Sequence, residues 1–152
     1  MDTSLQSFFN YIEFEKRYSK HTLEAYRNDL SQFQIFLTPY EKQLAEVNHL
    51  DIRSWIVTLM EQKISARSVN RKISSLKSFY KFLLRKGLIK KSPLAKVQTP
   101  KTSKRLPVFV EITGMEKLLK GIDFPEGYEG RLDRLIIELL YNTGIRRSEL
   151  IN

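Results

Sequence analysis

The sequence predicts an all-α protein: four amphipathic helices in a bundle, a basic linker, and the first helices of a second domain. Apolar residues recur every three or four positions through most of residues 1–87, the period of helices with one buried face. Between residues 88 and 107 that period vanishes, and Pro93, Pro100 and Pro107 punctuate a stretch of Lys, Ser and Thr that cannot continue a helix. Helical patterning resumes near residue 111. The expected divisions are therefore 1–87, 88–107 and 108–152. With 152 residues, 41% of them hydrophobic and 28% charged, the chain can bury a core in one medium domain, or in one small domain plus part of another.

Leu5, Phe8, Phe9 and Ile12 form the apolar stripe of the first helix. The second runs Leu23, Tyr26, Leu30, Phe33, Leu37, with Ser19 suited to its N-cap and Pro39 following its end. Asp51 falls in the first turn of a third helix, where a negative charge favours the positive end of the dipole; its buried face is Ile52, Trp55, Ile56 and Leu59. Ser65 can cap a fourth helix that reaches Arg85 and closes at Gly87, with Val69, Ile73, Leu76, Tyr80 and Leu83 facing the core. Beyond the linker, 111–122 is helical, and Leu132, Leu135, Ile136, Leu139 and Leu140 pattern a further helix broken by Gly144.

Charge is segregated along this framework. From Lys63 to Arg105 there are fourteen Lys and Arg and no Asp or Glu, while the remaining residues hold twelve basic side chains against all seventeen acidic ones. Such segregation predicts a surface built to meet a polyanion, foremost nucleic acid. Projected at about 100° per residue, the fourth helix puts Arg67, Asn70, Arg71, Ser74, Ser78, Lys81 and Arg85 opposite its apolar stripe, flanked by Lys77. Small hydroxyls between long cations let a helix lie close to a duplex. Arg67 and Arg71 suit guanine edges, because the guanidinium fork matches O6 and N7, while Lys77 and Lys81 suit phosphates. An ordinary solvated face is the alternative, but such faces mix signs in i,i+4 pairs and this one has none. Ser19, Lys20, His21 and Thr22 offer a second phosphate seat at a helix N-terminus, although Ser19 and Thr22 also suit any well-capped helix.

Other functions are disfavoured. Without Cys there is no disulfide, no thiolate catalysis and no Cys-based zinc site, and His21 and His49 stand apart, so no metal and no cofactor is implied. No apolar run approaches the roughly 20 residues that span a bilayer, and Met1-Asp2-Thr3-Ser4 does not begin a signal peptide, so a cytoplasmic protein is expected. A peripheral membrane role for the basic segment fares poorly, because the bundle needs the fourth helix's apolar face.

Three segments taken together, Ser19-Lys-His-Thr-Leu-Glu-Ala-Tyr26-Arg-Asn-Asp-Leu30, Ser65-Ala-Arg-Ser68 and Ser78-Phe-Tyr-Lys-Phe-Leu83, resemble the N-terminal core-binding domain of tyrosine recombinases of the Xer and phage-integrase type. Asn142-Thr-Gly-Ile-Arg146-Arg-Ser-Glu-Leu150 resembles that family's first catalytic motif, and Pro93-Leu-Ala and Lys104-Arg-Leu-Pro107 fall at family spacing. The resemblance implies a four-helix SAM-like bundle at 1–87, a linker at 88–107 whose Lys104 and Arg105 join the DNA contacts, and the opening of a truncated catalytic domain at 108–152. It also implies site-specific recombination through a 3′-phosphotyrosyl intermediate, with double-stranded DNA as partner and a homo- or hetero-tetramer of protomers at synapsis.

By the same match Arg146 is the first catalytic arginine, clamping non-bridging phosphate oxygens, and Glu149 supports it. Without the match, Arg146 reads as a solvated cation after a helix-ending glycine. The family's Lys, His-x-x-Arg element, further His or Trp, and nucleophilic Tyr all lie downstream of that first arginine, and none of the seven tyrosines here takes the nucleophile's place. The 152 residues are expected to bind DNA without cutting it. A non-catalytic DNA-binding or architectural module is the rival reading; the reading frame beyond Asn152 separates the two.

Overall fold

The computed structural model of the chain describes residues 3–102 and 110–152, which contain helices and no strand. The helices are α1 (Thr3–Asn10), α2 (Lys20–Leu37), α3 (His49–Glu61), α4 (Ala66–Arg85), α5 (Ile112–Gly121), α6 (Tyr128–Thr143) and α7 (Arg147–Ile151). A π turn, Tyr11–Glu15, extends α1, and short 3-10 turns at Thr38–Tyr40 and Leu44–Glu46 lead from α2 towards α3. Two compact units result, Met1–Lys104 and Arg105–Asn152. Among the described residues no helix is long and apolar enough to cross a membrane.

α4 is the central element of the first unit. Val69, Ile73, Leu76, Tyr80 and Leu83 are buried as their spacing predicts, and Phe79 and Phe82 are buried beside them. The apolar arc is therefore wider than a single stripe, because α1, α2 and α3 all pack against this helix. Phe8 of α1 meets Phe79 edge-on at 5.4 Å and Phe82 at 5.5 Å between ring centroids, distances at which aromatic pairs attract beyond their burial. On the other side Phe33 of α2 packs against Trp55 of α3 at 4.9 Å. The Tyr80 hydroxyl, deep in the core, donates to the Leu44 carbonyl at 2.9 Å, so its burial leaves that polar group satisfied.

The helix ends follow the local chemistry. Ser19 Oγ accepts from Thr22 N at the start of α2, and Ser65 Oγ accepts from Ser68 N at the start of α4. At α3 a reciprocal box forms: Asn48 Oδ1 accepts from Leu50 N at 2.7 Å, and Asp51 Oδ2 accepts from Asn48 N at 2.9 Å. Burial opposes ionisation of Asp51. The Asn48 N–H, the Lys42 ammonium at 2.6 Å and the nearby His49 outweigh it and hold the carboxyl below its usual range. α4 closes with Gly87 at φ +72°, Leu88 N bonding Leu83 O at 3.0 Å and Gly87 N bonding Leu84 O at 3.1 Å, the paired bonds of a left-handed helix stop.

The segment after α4 does not leave the bundle as a free tether. Leu94 is buried, Ile89 and Val97 pack partly against the same core, and the Asn70 side-chain amide donates to the Pro100 carbonyl at 3.0 Å. Spaced five and three apart, Ile89, Leu94 and Val97 sustain no regular helical or strand period, so periodicity alone does not reveal that the strap is fastened.

In the second unit Gly144 takes φ +65° and its N–H bonds Leu140 O at 3.1 Å, turning the chain out of α6. Leu132, Leu135 and Leu139 of the α6 stripe are exposed.

Candidate nucleic-acid interface and catalytic arginine

α4 presents its polar side as an extended track. Arg67, Arg71, Ser74, Lys77 and Lys81 are exposed, while Asn70 and Ser78 are half-buried. At 1.5 Å per residue, Arg67 to Lys81 spans roughly 21 Å of helix axis. Arg67, Lys77 and Lys81 have no ion-pair partner among the described residues. Their charge is uncompensated and available to a polyanion.

Several members of the expected set have internal duties. Asn70 ties the strap at Pro100, and its side-chain carbonyl is buried without a partner among the described residues. Arg71 forms an ion pair from one terminal nitrogen to Asp29 Oδ2, with its side chain still 51% exposed. Ser74 Oγ donates back to the Asn70 carbonyl at 2.9 Å, which keeps the hydroxyl close to the helix surface.

Sequence reasoning missed the group that holds Arg71. Asp29 is fully buried, Lys72 and Ser75 nearly so. Asp29 Oδ1 accepts from Lys72 Nζ at 3.1 Å, and Oδ2 accepts from Ser75 Oγ at 2.7 Å as well as from Arg71; Lys72 Nζ also donates to Gln32 Oε1 at 2.6 Å. A signal was present in Lys72, three residues after Val69 and four before Leu76. A cation there sits on the apolar stripe and needs a buried partner.

The second expected contact lies at the start of α2. Ser19 Oγ and Thr22 Oγ1 are 2.9 Å apart, so these hydroxyls partner each other as well as capping the helix, while Lys20 is exposed. Tyr18, just before them, lines a cleft of about 420 Å³ with Ser78, Lys81 and Arg85 of α4. Tyr26 Oη and Ser78 Oγ, 3.1 Å apart, tie α2 to α4 at the same place. The cleft thus joins the polar face of α4 to Tyr18, next in sequence to Ser19; none of Ser19, Lys20, His21 and Thr22 lines it. Arg85 is held there by Tyr11, donating to its hydroxyl at 2.9 Å with the guanidinium 4.2 Å from the ring centroid. Lys104 and Arg105 lie outside the described residues.

In the second unit the Thr-Gly turn sets Arg146 at the N-cap of α7. Thr143 Oγ1 donates to Leu139 O at 2.6 Å and accepts from Ile145 N at 3.3 Å, shaping the exit from α6. Glu149 Oε2 accepts from Arg146 N at 3.0 Å, and Oε1 accepts from the Arg146 guanidinium at 2.8 Å. The Arg146 backbone N–H and then its guanidinium hold Glu149 below its ordinary pKa, against a slight opposing effect of burial. The Arg146 side chain is 79% exposed, leaving donors beyond the one engaged by Glu149. Tyr80 is in the core and Tyr141 Oη donates to the Val110 carbonyl at 3.2 Å, structural duties for both. Among the described residues no cluster of His, Asp and Glu could hold a metal ion.

The family described as phage integrase, N-terminal SAM-like domain, matches residues 5–87. The chain is 39% identical over 153 residues to tyrosine recombinase XerC of Oceanobacillus iheyensis, covering 100% of this chain and 50% of that protein. It is 42% identical over 145 residues to XerC of Listeria innocua, covering 93% of this chain and 48% of the relative. Against tyrosine recombinase XerD of Staphylococcus haemolyticus the identity is 36% over 154 residues, with 99% and 51% covered. The chain thus spans about half the length of the curated relatives it matches. No solved structure matches it.

Proposed function

The chain belongs to the phage integrase family through its N-terminal SAM-like domain, and on that premise we propose that it serves site-specific DNA recombination by a tyrosine recombinase. The first unit binds duplex DNA through α4 and the start of α2, and the second contributes the first catalytic arginine. In the reaction a tyrosine hydroxyl attacks the scissile phosphate. A 3′-phosphotyrosyl bond forms, the bond to the 5′-oxygen breaks, and the 5′-hydroxyl leaves with a proton; attack by a partner strand's 5′-hydroxyl then reverses the step, so no nucleotide cofactor is consumed. Arg146 donates to the non-bridging oxygens, where charge grows in the transition state, and Glu149 orients its guanidinium. The nucleophile is not one of the seven tyrosines present. Protomers assemble on DNA as a homo- or hetero-tetramer, in the cytoplasm with the chromosome.

The observation that carries this reading is the acid-free face of α4, with Arg67, Lys77 and Lys81 exposed and unpaired among the described residues. Binding of the 152-residue chain to a short fluorescent duplex tests it. Affinity is expected to fall steeply with salt and to weaken at least tenfold, an order-of-magnitude figure, in the double variant R71A/K77A. Equal affinity of that variant and the native chain sinks the assignment of α4.

A further inference from the structure

A buried carboxylate behind a polyanion-binding face is unexpected, because an acid near DNA repels phosphates. Asp29 avoids this by being fully buried and compensated from within: Lys72 Nζ lies 3.1 Å from Oδ1, and the Lys72 side chain is only 7% exposed. Lys72 thereby balances part of the carboxylate's charge inside the bundle, and Arg71 shares the rest. Ser75 Oγ and Gln32 Oε1 complete the set, at 2.7 Å from Asp29 and 2.6 Å from Lys72. The second carboxylate oxygen, which also accepts from Ser75 Oγ, holds Arg71, whose side chain stays 51% exposed and whose guanidinium has no other partner among the described residues. α2 and α4 share this network, so the guanidinium is fixed relative to the bundle and not only to its own helix.

From this geometry we infer that Asp29 is a positioning residue for sequence readout, setting the Arg71 fork so that its remaining donors meet the edge of a guanine in the major groove. The inference rests on the proposal that α4 lies against duplex DNA. A long side chain ordered only on docking loses its rotamer freedom at that moment, whereas Arg71 has lost it on folding. Guanine is the base because its O6 and N7 are paired acceptors matched to two guanidinium N–H groups, an arrangement no other base edge offers. Arg67, Lys77 and Lys81 have no such anchor and supply attraction that does not depend on sequence.

The test begins with duplexes selected from a random pool by the native chain. Each guanine of the selected site is replaced in turn by 7-deazaguanine, which lacks the N7 acceptor. The native chain should show one guanine at which this replacement weakens binding about tenfold, and R71A should abolish that penalty. The decisive variant is D29N/K72M, which removes both buried charges, leaves net charge unchanged and keeps similar side-chain volumes. Its penalty at the same guanine should shrink to about twofold or less. Partial unfolding would lower affinity for the native and the substituted duplex together and leave their ratio intact.

A folded D29N/K72M that keeps the full penalty overturns the inference, as does an R71A that keeps it. Should D29N/K72M not fold, side-chain ¹⁵N relaxation of the native chain free of DNA decides: Arg71 Nε is expected to be ordered and Arg67 Nε mobile, and equal mobility overturns the inference. Failure of the native chain to bind any duplex would instead overturn the proposed function.

Discussion

Removing Lys77 and Lys81 together gives the most direct measure of the α4 track. The two residues lie one turn apart on the exposed face and carry no ion pair among the described residues, so each is free to displace a counterion from a phosphate. Each phosphate neutralised contributes about 0.9 to the slope of log K against log salt, so K77A/K81A should lower the slope by about 1.8. The same relation makes the loss of affinity about 60-fold at 0.1 M salt and about tenfold at 0.3 M. R71A should change the slope less than either lysine, because part of its charge already meets Asp29. Fluorescence anisotropy with one labelled duplex across that salt range supplies the numbers. A slope for K77A/K81A equal to that of the native chain would show that these lysines face solvent in the complex and would refute the docking of this face.

Three further outcomes concern stability. Asp51 has a folded pKa below its unfolded value near 3.8, so the stability from its ionised form is complete above that value and is lost as pH falls through the lower folded one; D51N should flatten acid unfolding in that window, read by helical circular dichroism. Phe8→Ala removes the ring shared by Phe79 and Phe82 and should cost about 3–5 kcal/mol in urea unfolding, with a value under about 1 kcal/mol denying α1 its place in the core. Lys63 follows α3 at φ +58°, with Ile64 N bonding Leu59 O at 3.1 Å, a position that suits glycine; Lys63→Gly should raise stability by about 0.5–1 kcal/mol, and a loss would contradict the left-handed stop.

Much of the bundle was legible because its signals are local. The caps Ser19 and Ser65, the stop at Gly87 and the buried residues from Val69 to Leu83 each follow from a few neighbouring positions and a 3.6-residue period. The exposed cations of α4 were legible for the same reason, since projection alone separates them from the apolar stripe. The Thr-Gly turn before Arg146 could be read as a helix ending, and Gly144 does end α6 there; the chemical role proposed for the arginine rests on the likeness to a family motif.

What projection could not reveal is which polar residues had already been claimed. Lys72 stands out on the apolar stripe of α4, but nothing in one dimension names Asp29 as its partner; the two are buried together only because α2 and α4 bring them into contact across 43 positions of sequence. Asn70 belongs to the projected contact face, yet its amide holds Pro100, because the strap after α4 folds back through Leu94 and Val97 instead of leaving. Sequence periodicity alone thus determined where helices form and which side of α4 is basic, since both depend on spacing within a segment. Tertiary structure alone decided which arginines are anchored, Arg71 by Asp29 and Arg85 by Tyr11, and which cations are free, since such contacts exist only when distant segments pack together.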